Sequence, residues 1–550
     1  MNNSRNKIVA IIPAGGMPNN ILTQSGNLPD AMVPINCKPV IGYIIEDLIE
    51  RGIRKVFVIL NSSDEYTESY LKNKFKDKLF INVIYQDFLE RGVGYAVYLA
   101  VKNISRNEKV LVYLGDTIYK GKLTFNENAL VTSNIYEEST KWCFVENKKE
   151  GLLFIDKPKN YLGEGKVLCG LYFFKKGALV RKVAEELVRN IKKIEMSDIL
   201  TIYSENQKFK LVNAKRWYDC GNIENYYKAK IDFLKVRHFN KLIYNDLFGS
   251  ITKSSNNSED FNKIDDEINW YLNLPQDLQI FAPRLIDYRK TKRNSNYSLE
   301  FYGYQSLADL FVFNSLDLRV WTSIIKKLFE IIEEFRKYKV DIPYKNYYEM
   351  YYVKTIKRIE MLEKRKYWQE TFSKEYVLIN GNKIKNIKYY LDAIKVSVKK
   401  LYTKKEMAFI HGDLCLGNIL FDPTNKIFKF IDPRGSFGKQ SVYGDLKYDL
   451  GKLRHSFHGL YDFITSDLFT IKKDGFRYLF KIYSEGRHKD IGNIFDKELI
   501  KNGFNLEKIK LIEALLFASM IPIHKDSLER QKAMYLTSAI LLNEIDFTAL

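Results

Sequence analysis

Residues Phe409–Asp422 read FIHGDLCLGNILFD. Two apolar runs flank three polar side chains, His411, Asp413 and Asn418, and core packing asks for none of them. A strand-like segment follows, FKFIDPRG, which ends in Asp432 and Arg434. Phosphoryl transfer needs a base for an acceptor hydroxyl and oxygen ligands for metal on ATP, and these residue types in this order supply both. An earlier stretch, VLVYLGDTIY (Val110–Tyr119), sets Asp116 at the end of another apolar strand. The two stretches together predict two active sites on one chain, each using carboxylates to hold metal on a nucleotide.

Bulk properties agree with a large enzyme. A chain of 550 residues exceeds one hydrophobic core and predicts two to four domains. No window is apolar enough for a membrane span, and the N-terminus runs into a buried-type strand rather than a signal peptide, so a cytoplasmic protein is expected. The five cysteines, Cys37, Cys143, Cys169, Cys220 and Cys415, are widely spaced and form no C-x-x-C pair. That argues against a zinc site or a disulfide framework. The net charge of +20 invites a nucleic-acid reading. Its lysines are nevertheless dispersed among acidic residues, with no recognition helix, so a field suited to nucleotides and phosphorylated substrates is the better account.

Strand and helix patterns alternate up to about residue 238. NKIVAIIPAGG reads as a buried strand and Gly turn, VIGYIIEDLIERGI as a helix, and RKVFVIL as a strand. FINVIYQ, GYAVYLAVKNI and KVLVYLGD continue the series, which predicts a mostly parallel, Rossmann-like α/β domain over residues 1–238. In such sheets ligands sit at the carboxyl ends of strands, where Gly15, Gly16 and Asp116 fall. From residue 239 the pattern changes. NKLIYNDLFGSITKSS reads as a hairpin, KIDDEINWYLNLP as a helix stopped at Pro275, and VWTSIIKKLFEIIEEF as an amphipathic helix. This predicts a two-lobed, protein-kinase-like α+β domain over 239–550, with a small lobe to about 305 and a helical lobe after it.

The order H-G-D-x-x-x-x-N followed by a strand ending in I-D resembles the choline kinase and aminoglycoside phosphotransferase families. The resemblance implies Asp413 as catalytic base, Asn418 and Asp432 as Mg²⁺ ligands, and His411 as a brace. Asp449, in YGDLKYDLGKL, is then a loop anchor. By position, Lys253 is the candidate for the ATP phosphates, Glu267 its partner, and Leu299–Tyr304 the hinge. Arg434 suits an anionic acceptor, a phosphate oxygen or a structural role alike. The aromatic run YYEMYY (Tyr347–Tyr352) reads as a helix surface packed on a neighbour, the alternative being a cage for a quaternary ammonium.

The N-terminal segments IIPAGG, LPDAMVPINCKPVIGYIIEDLIERGI, QDFLERGVGYAVYLA, LGDTIY, FIDKPKN, GLYFF and RWYDCGNIENYYKA occur in the order found in sugar-phosphate nucleotidyltransferases, which they resemble. That implies Gly15 and Gly16 at the triphosphate, Gly92 and Gly94 at the base, Lys38 and Lys157 at phosphate, and Asp116 and Asp219 as metal ligands. Two departures stand out. The Gly turn continues Met17-Pro18-Asn19-Asn20 where the family has G-T-R, and Asp30 replaces the family's P-K lysine. Lys157 and Lys38 taking over the lost charge, or Asp30 pointing away, would preserve activity.

The expected enzyme is bifunctional, a kinase for a small sugar, polyol or amino-alcohol fused to a nucleotidyltransferase that activates the product for a bacterial capsule or surface polysaccharide. Mg²⁺, ATP and a second NTP (CTP, UTP, GTP or dTTP) are the implied cofactors. The implied partners are the small alcohol or sugar and its phosphate, with no nucleic acid and no membrane; a homo-oligomer is compatible with the sequence. The alternative is a kinase regulated by a non-catalytic, nucleotide-sensing N-terminal domain.

Overall fold

The apolar run IVAIIP becomes strand β1 (Ile8–Pro13), buried on both faces, as a central parallel strand requires. Pro39 then opens helix α1 (Val40–Glu50), whose Val40, Ile41, Ile44, Ile45 and Leu48 recur at helical spacing and bury one face. The alternation continues with β2 (Lys55–Asn61), α2 (Glu65–Phe75), β3 (Phe80–Gln86), α3 (Gly92–Val101) and β4 (Lys109–Tyr113). A short strand β5 (Thr117–Tyr119) and β6 (Ala129–Ser133) follow, then the hairpin β7 (Cys143–Lys148) and β8 (Gly151–Asp156), and β9 (Lys166–Phe174). Helices α4 (Gly177–Asn190) and α5 (Met196–Asn206), strands β10 (Lys210–Asn213) and β11 (Trp217–Asp219), and helix α6 (Ile223–Asp232) complete this part.

The computed structural model describes residues 8–16, 29–36, 38–62, 64–75, 77–134, 139–221, 223–233, 240–255, 261–291, 295–313, 316–439 and 442–550. The chain divides into two compact units, Met1–Phe233 and Leu234–Leu550. The boundary expected at 238/239 lies outside the described residues, as do Cys37 and the Met17–Asn20 departure. Among the described residues no helix is long and apolar enough to cross a membrane.

In unit 1 the main sheet has the order β10-β6-β9-β4-β1-β2-β3, with β7 and β8 added beside β9. The β1–β2, β2–β3, β1–β4 and β6–β10 pairs are parallel, whereas β9 runs antiparallel to β4, β6 and β7. β1 is flanked by β2 and β4, so the chain leaves the sheet in opposite directions around it, and a crevice opens at its carboxyl end. Apart from the main sheet, β11 pairs antiparallel with β5, setting Asp219 opposite Thr117.

Unit 2 begins with the hairpin β12 (Asn240–Asn245) and β13 (Ser250–Ser255), turned at Gly249 with φ +53°. Helix α7 (Phe261–Asn273) ends before Pro275, and strands β14 (Leu285–Arg289) and β15 (Asn296–Glu300) close a sheet of order β12-β13-β15-β14. The expected hinge, Leu299–Tyr304, takes in the last two residues of β15 and the link to β16 (Gln305–Ser306), which connects this sheet to the helical remainder. That remainder opens with α8 (Leu307–Phe313) and the long amphipathic α9 (Leu318–Arg336). Helices α10 (Tyr344–Tyr348), α11 (Lys354–Glu363), α12 (Lys366–Phe372) and α13 (Leu391–Leu401) follow.

The helical lobe is not helical throughout. β17 (Tyr376–Ile379) and β18 (Asn382–Lys385) join two strands at Phe469–Asp474 and Arg477–Ile482 in a four-stranded sheet. Two-residue turns make both hairpins. Asn380 and Gly381 have φ +52° and +85°, the conformation an Asn-Gly turn adopts cheaply, and Gly475 has φ +56°.

Candidate functional sites

In unit 2, residues distant in sequence meet at one place. Lys253, on β13 and 6% exposed, donates to Glu267 Oε2 at 2.7 Å and to Asp432 Oδ1 at 2.9 Å. Glu267, on α7, also accepts from the Tyr297 hydroxyl of β15. Burial alone would lower the Lys253 pKa, but the two carboxylates outweigh it and raise it. Burial raises Glu267, against the pull of Lys253. Asp432 has φ +55°, an uncommon conformation for a residue with a side chain.

The loop around Asp413 is held by its own polar groups. It follows β19 (Met407–Phe409) and leads into β20 (Ile419–Asp422), which pairs with β21 (Ile427–Phe430). β22 (Tyr443–Asp445) pairs with β19 and feeds helix α14 (Leu446–Phe457), which carries Asp449. Asp449 accepts from the backbone N–H of His411 at 2.7 Å and of Gly412 at 2.8 Å. Burial nevertheless lifts its pKa to about 7. His411 Nδ1 accepts from the Asp413 N–H at 3.3 Å, so Nε2 carries the proton and donates to the Ile431 carbonyl at 3.1 Å. Burial depresses this histidine to about 4, which keeps it neutral. Asn418 Nδ2 donates to Asp413 at its carbonyl, 2.8 Å, and at Oδ2, 3.2 Å. The Ile431 N–H reaches back to the Asn418 carbonyl at 3.0 Å, which ties the Asp432 segment to the loop.

The structure therefore brings together Lys253, Glu267, His411, Asp413, Asn418, Asp432 and Arg434. Sequence reading missed Lys452, which pairs with Asp413 Oδ1 at 2.8 Å, and Tyr448, whose hydroxyl accepts from Arg434 Nη1 at 3.0 Å. Both lie on α14, and Lys452 is three residues past Asp449 on that helix. The Tyr347–Tyr352 run does not form an open cage: Tyr347 is 0% and Tyr351 2% exposed, and they pack on Tyr402, Phe437 and each other.

In unit 1, Asp116 follows the carboxyl end of β4 and Asp219 ends β11. The β5–β11 ladder and the Cys220 N–H to Asp116 carbonyl bond, 2.7 Å, bring them side by side. A Cβ placed on Gly221 would lie 3.2 Å from Asp219 Oδ1 and 3.4 Å from Asp116 Oδ2, so both carboxylates flank one point. Their surroundings offer little neutralisation. Asp116 accepts from the Thr117 hydroxyl at 3.1 Å and Asp219 from the Gly221 N–H at 3.1 Å. Burial and the Asp116 charge push Asp219 up to about 8, and burial raises Asp116 as well. A hard divalent cation suits two crowded carboxylates of this kind, because Mg²⁺ takes one or two from protein and completes its shell with water and phosphate.

Around this pair the expected residues divide. Gly15 and Gly16 follow β1 on the same edge, and a Cβ on Gly15 would meet the Leu60–Asn61 backbone at 3.1 Å. Gly115 donates to the Pro13 carbonyl at 3.0 Å, which closes the two strand ends on each other. Gly92 (φ +81°) and Gly94 press on Ile194, whose carbonyl a Cβ on Gly92 would approach to 2.5 Å, so packing alone requires glycine at these two positions. Lys38 pairs with Glu46 and covers the Tyr43 ring at 3.9 Å, so its charge is already engaged. Lys157 is exposed, has φ +46°, and donates its backbone N–H to Trp142 at 2.8 Å. A cation that lowers Asp219 is Lys141, which no sequence pattern marks. The Asp30 charge adds to that of Asp116 in raising Asp219.

Residues 9–236 match the family described as Nucleotidyl transferase. The UTP–glucose-1-phosphate uridylyltransferase of Staphylococcus haemolyticus (strain JCSC1435) is 29% identical over 150 residues, covering 24% of this chain and 51% of that protein. The chain thus spans about half the length of that relative. The choline-phosphate cytidylyltransferase of Streptococcus pneumoniae (strain ATCC BAA-255 / R6) is 27% identical over 204 residues, covering 36% of this chain and 81% of that protein. A solved UDP-glucose pyrophosphorylase complexed with UDP-glucose aligns with 41% of this chain and 97% of its own at 19% identity, with a TM-score of 0.35. The N-terminal part of the chain, residues 9–236, is a nucleotidyl transferase domain.

Proposed function

We propose that the chain is a bifunctional enzyme. Unit 2 phosphorylates a small sugar, polyol or amino-alcohol with ATP, and unit 1 couples the phosphorylated product to a nucleoside monophosphate taken from a second NTP. The product is then an activated precursor for a bacterial capsule or other surface polysaccharide. The observation that carries the reading is the convergence of Lys253, Glu267 and Asp432 with Asp413 and Asn418 from four separate segments of unit 2.

In unit 2 Asp413 accepts the proton of the acceptor hydroxyl as that oxygen bonds to the γ-phosphorus, and the bond to the bridging oxygen breaks to release ADP. Lys253, held by Glu267, presents a fixed cation to the phosphates. Asn418 and Asp432 would hold Mg²⁺, which when bound neutralises phosphate charge. In unit 1 an oxygen of the phosphorylated product attacks the α-phosphorus of the NTP and pyrophosphate leaves. That oxygen is already ionised, so no base is required. Asp116 and Asp219 would hold the metal there, and Lys157 is assigned to the phosphate.

A second reading has its own support. The Asp30 charge, which adds to the raising of Asp219, and the commitment of Lys38 to Glu46 leave the described residues of unit 1 short of positive charge for a triphosphate, which suits a nucleotide sensor that regulates the kinase. Incubating the chain with ATP, a second NTP and a panel of alcohols and their phosphates separates the two. Asp116→Ala should abolish pyrophosphate release and spare ADP formation, and Asp413→Ala should do the converse. Nucleotide bound tightly by unit 1 with no pyrophosphate released from any pair favours the sensor.

A further inference from the structure

Beside Asp413, unit 2 gathers more positive charge than the carboxylates there absorb. Lys452 is paired with Asp413. Arg434 has the Tyr448 hydroxyl for a partner, with its guanidinium 6.0 Å from the Tyr448 ring centroid. Lys354, the first residue of α11, has its Nζ 5.3 Å from the same ring. Its hydrogen-bond acceptor is the Met350 sulfur at 3.3 Å, a weak one. Arg358, one turn along α11, donates to the Ser519 carbonyl at 2.9 Å. Among the described residues Lys354, Arg358 and Arg434 have no carboxylate within ion-pair distance; Asp266 feels the Arg434 charge but does not pair with it. Burial, then the charges of Arg434, Arg358 and Lys452, hold Lys354 well below the usual lysine range.

Such a group of cations costs folding free energy unless an anion completes it. The ATP phosphates already have Lys253 on the Asp432 side, whereas Lys354 and Arg434 meet at Tyr448, one helical turn before the Lys452 that pairs with Asp413. A quaternary ammonium would meet like charges here, and Tyr347 and Tyr351 of the aromatic run are buried. Resting on the kinase reading above, we propose that Lys354, Arg358 and Arg434 form an anion subsite beside Asp413, and that the alcohol phosphorylated by unit 2 carries its own carboxylate or phosphate. The oxyanion would orient the acceptor through charge-assisted bonds, bidentate where an arginine is used, and present its hydroxyl to Asp413.

The test uses the full chain with Mg²⁺ and ATP and four small alcohols: glycerate, glycerol phosphate, glycerol and choline. ADP formation with one of the two anionic alcohols should exceed that with glycerol and choline at least tenfold, and which of the two is turned over names the oxyanion. Lys354→Met should raise KM for the anionic alcohol tenfold or more and leave KM for ATP within twofold. Equal or better turnover of glycerol or choline, or an unmoved KM, overturns the proposal. If none of the four is turned over, inorganic phosphate is titrated calorimetrically into the chain saturated with Mg²⁺ and a non-hydrolysable ATP analogue. Binding that weakens tenfold in Lys354→Met upholds the subsite; no binding, or binding indifferent to Lys354→Met, overturns it. The kinase reading has a separate check, since Asp432→Asn must abolish binding of the ATP analogue. Phosphate held by the cluster in a unit that binds no ATP analogue refutes that reading alone.

Discussion

Lys253→Met is the most informative single change in unit 2. Lys253 bridges Glu267, which is 9% exposed, and Asp432, whose side chain is 37% exposed. Removing the cation while keeping its length leaves Glu267 buried with the Tyr297 hydroxyl as partner and Asp432 partly reachable by water. Breaking a buried ion pair by deleting one member costs about 3–5 kcal/mol. The exposure of Asp432 places this case near the lower end, about 3 kcal/mol, or a fall in Tm of about 4–5 °C for a unit of this size. The loss should depend on pH. Without the opposing pull of Lys253, burial lifts the folded pKa of Glu267 further above its unfolded value, although the Tyr297 hydrogen bond still draws it down. The native state then binds the extra proton, stability falls as pH rises through that window, and the gap from wild type is wider at pH 8 than at pH 5. Calorimetry of the intact chain, with hydrogen exchange over β13 and α7 to locate the effect, measures it. The double variant Lys253→Met/Glu267→Gln should recover most of the stability while ATP turnover stays lost. A Lys253→Met chain that is as stable as wild type and consumes ATP normally would refute the reasoning.

Other expectations follow from the same geometry. Buried His411, His455 and His488 are held neutral at about 4, 3 and 4, below the unfolded value, so unit 2 should lose stability as pH falls from about 6.5 towards 4. His488→Gln should flatten that acid limb in thermal unfolding, and an unchanged limb would exclude His488 as a contributor. Mg²⁺ should raise the unfolding temperature of unit 1 by relieving the repulsion between Asp116 and Asp219, and Asp219→Asn should remove most of that gain. Gly435 has φ +67°, and a Cβ there would sit 1.9 Å from the Asp266 carbonyl, so Gly435→Ala should cost about 3 kcal/mol or more, read as a fall in denaturation midpoint. Asp30→Asn removes a charge that adds to the raising of Asp219 and should speed pyrophosphate release at least tenfold, whereas a slower variant would mean that Asp30 assists the reaction.

Much of this was legible in sequence because the signals were local. The hydrophobic runs around Ile8–Pro13 and Lys109–Tyr113 declared buried parallel strands, and the polar letters after them marked strand ends. His411, Asp413, Asn418 and Asp432 stood out because they interrupt apolar runs for no packing reason. Lys253 and Glu267 were placed by position in a lobe, and their bridge depends on a contact between β13 and α7. The residues that were missed are those whose role arises only in three dimensions. Lys452 and Lys354 look like ordinary helix lysines among many others, and only folding sets one on Asp413 and the other over Tyr448. Lys141 is likewise silent in sequence. The extra sheet in the helical lobe was legible but unread: Asn380-Gly381, between VLI and NKIK, is a hairpin turn signal of the strongest kind. Gly92 and Gly94 carry the opposite lesson, since glycines suited to a base also satisfy a tight contact with Ile194.

The most direct test of the account follows one phosphorus atom. ATP labelled in its γ-phosphate is given to the intact chain with an anionic alcohol, a second unlabelled NTP and Mg²⁺, and the products are separated. Label should appear first in the phosphorylated alcohol and then in a nucleotide-linked diphosphate, with one pyrophosphate released per coupling. Label that never leaves ATP in an acceptor-dependent way, or that halts at the phosphorylated alcohol with every NTP supplied, would contradict it.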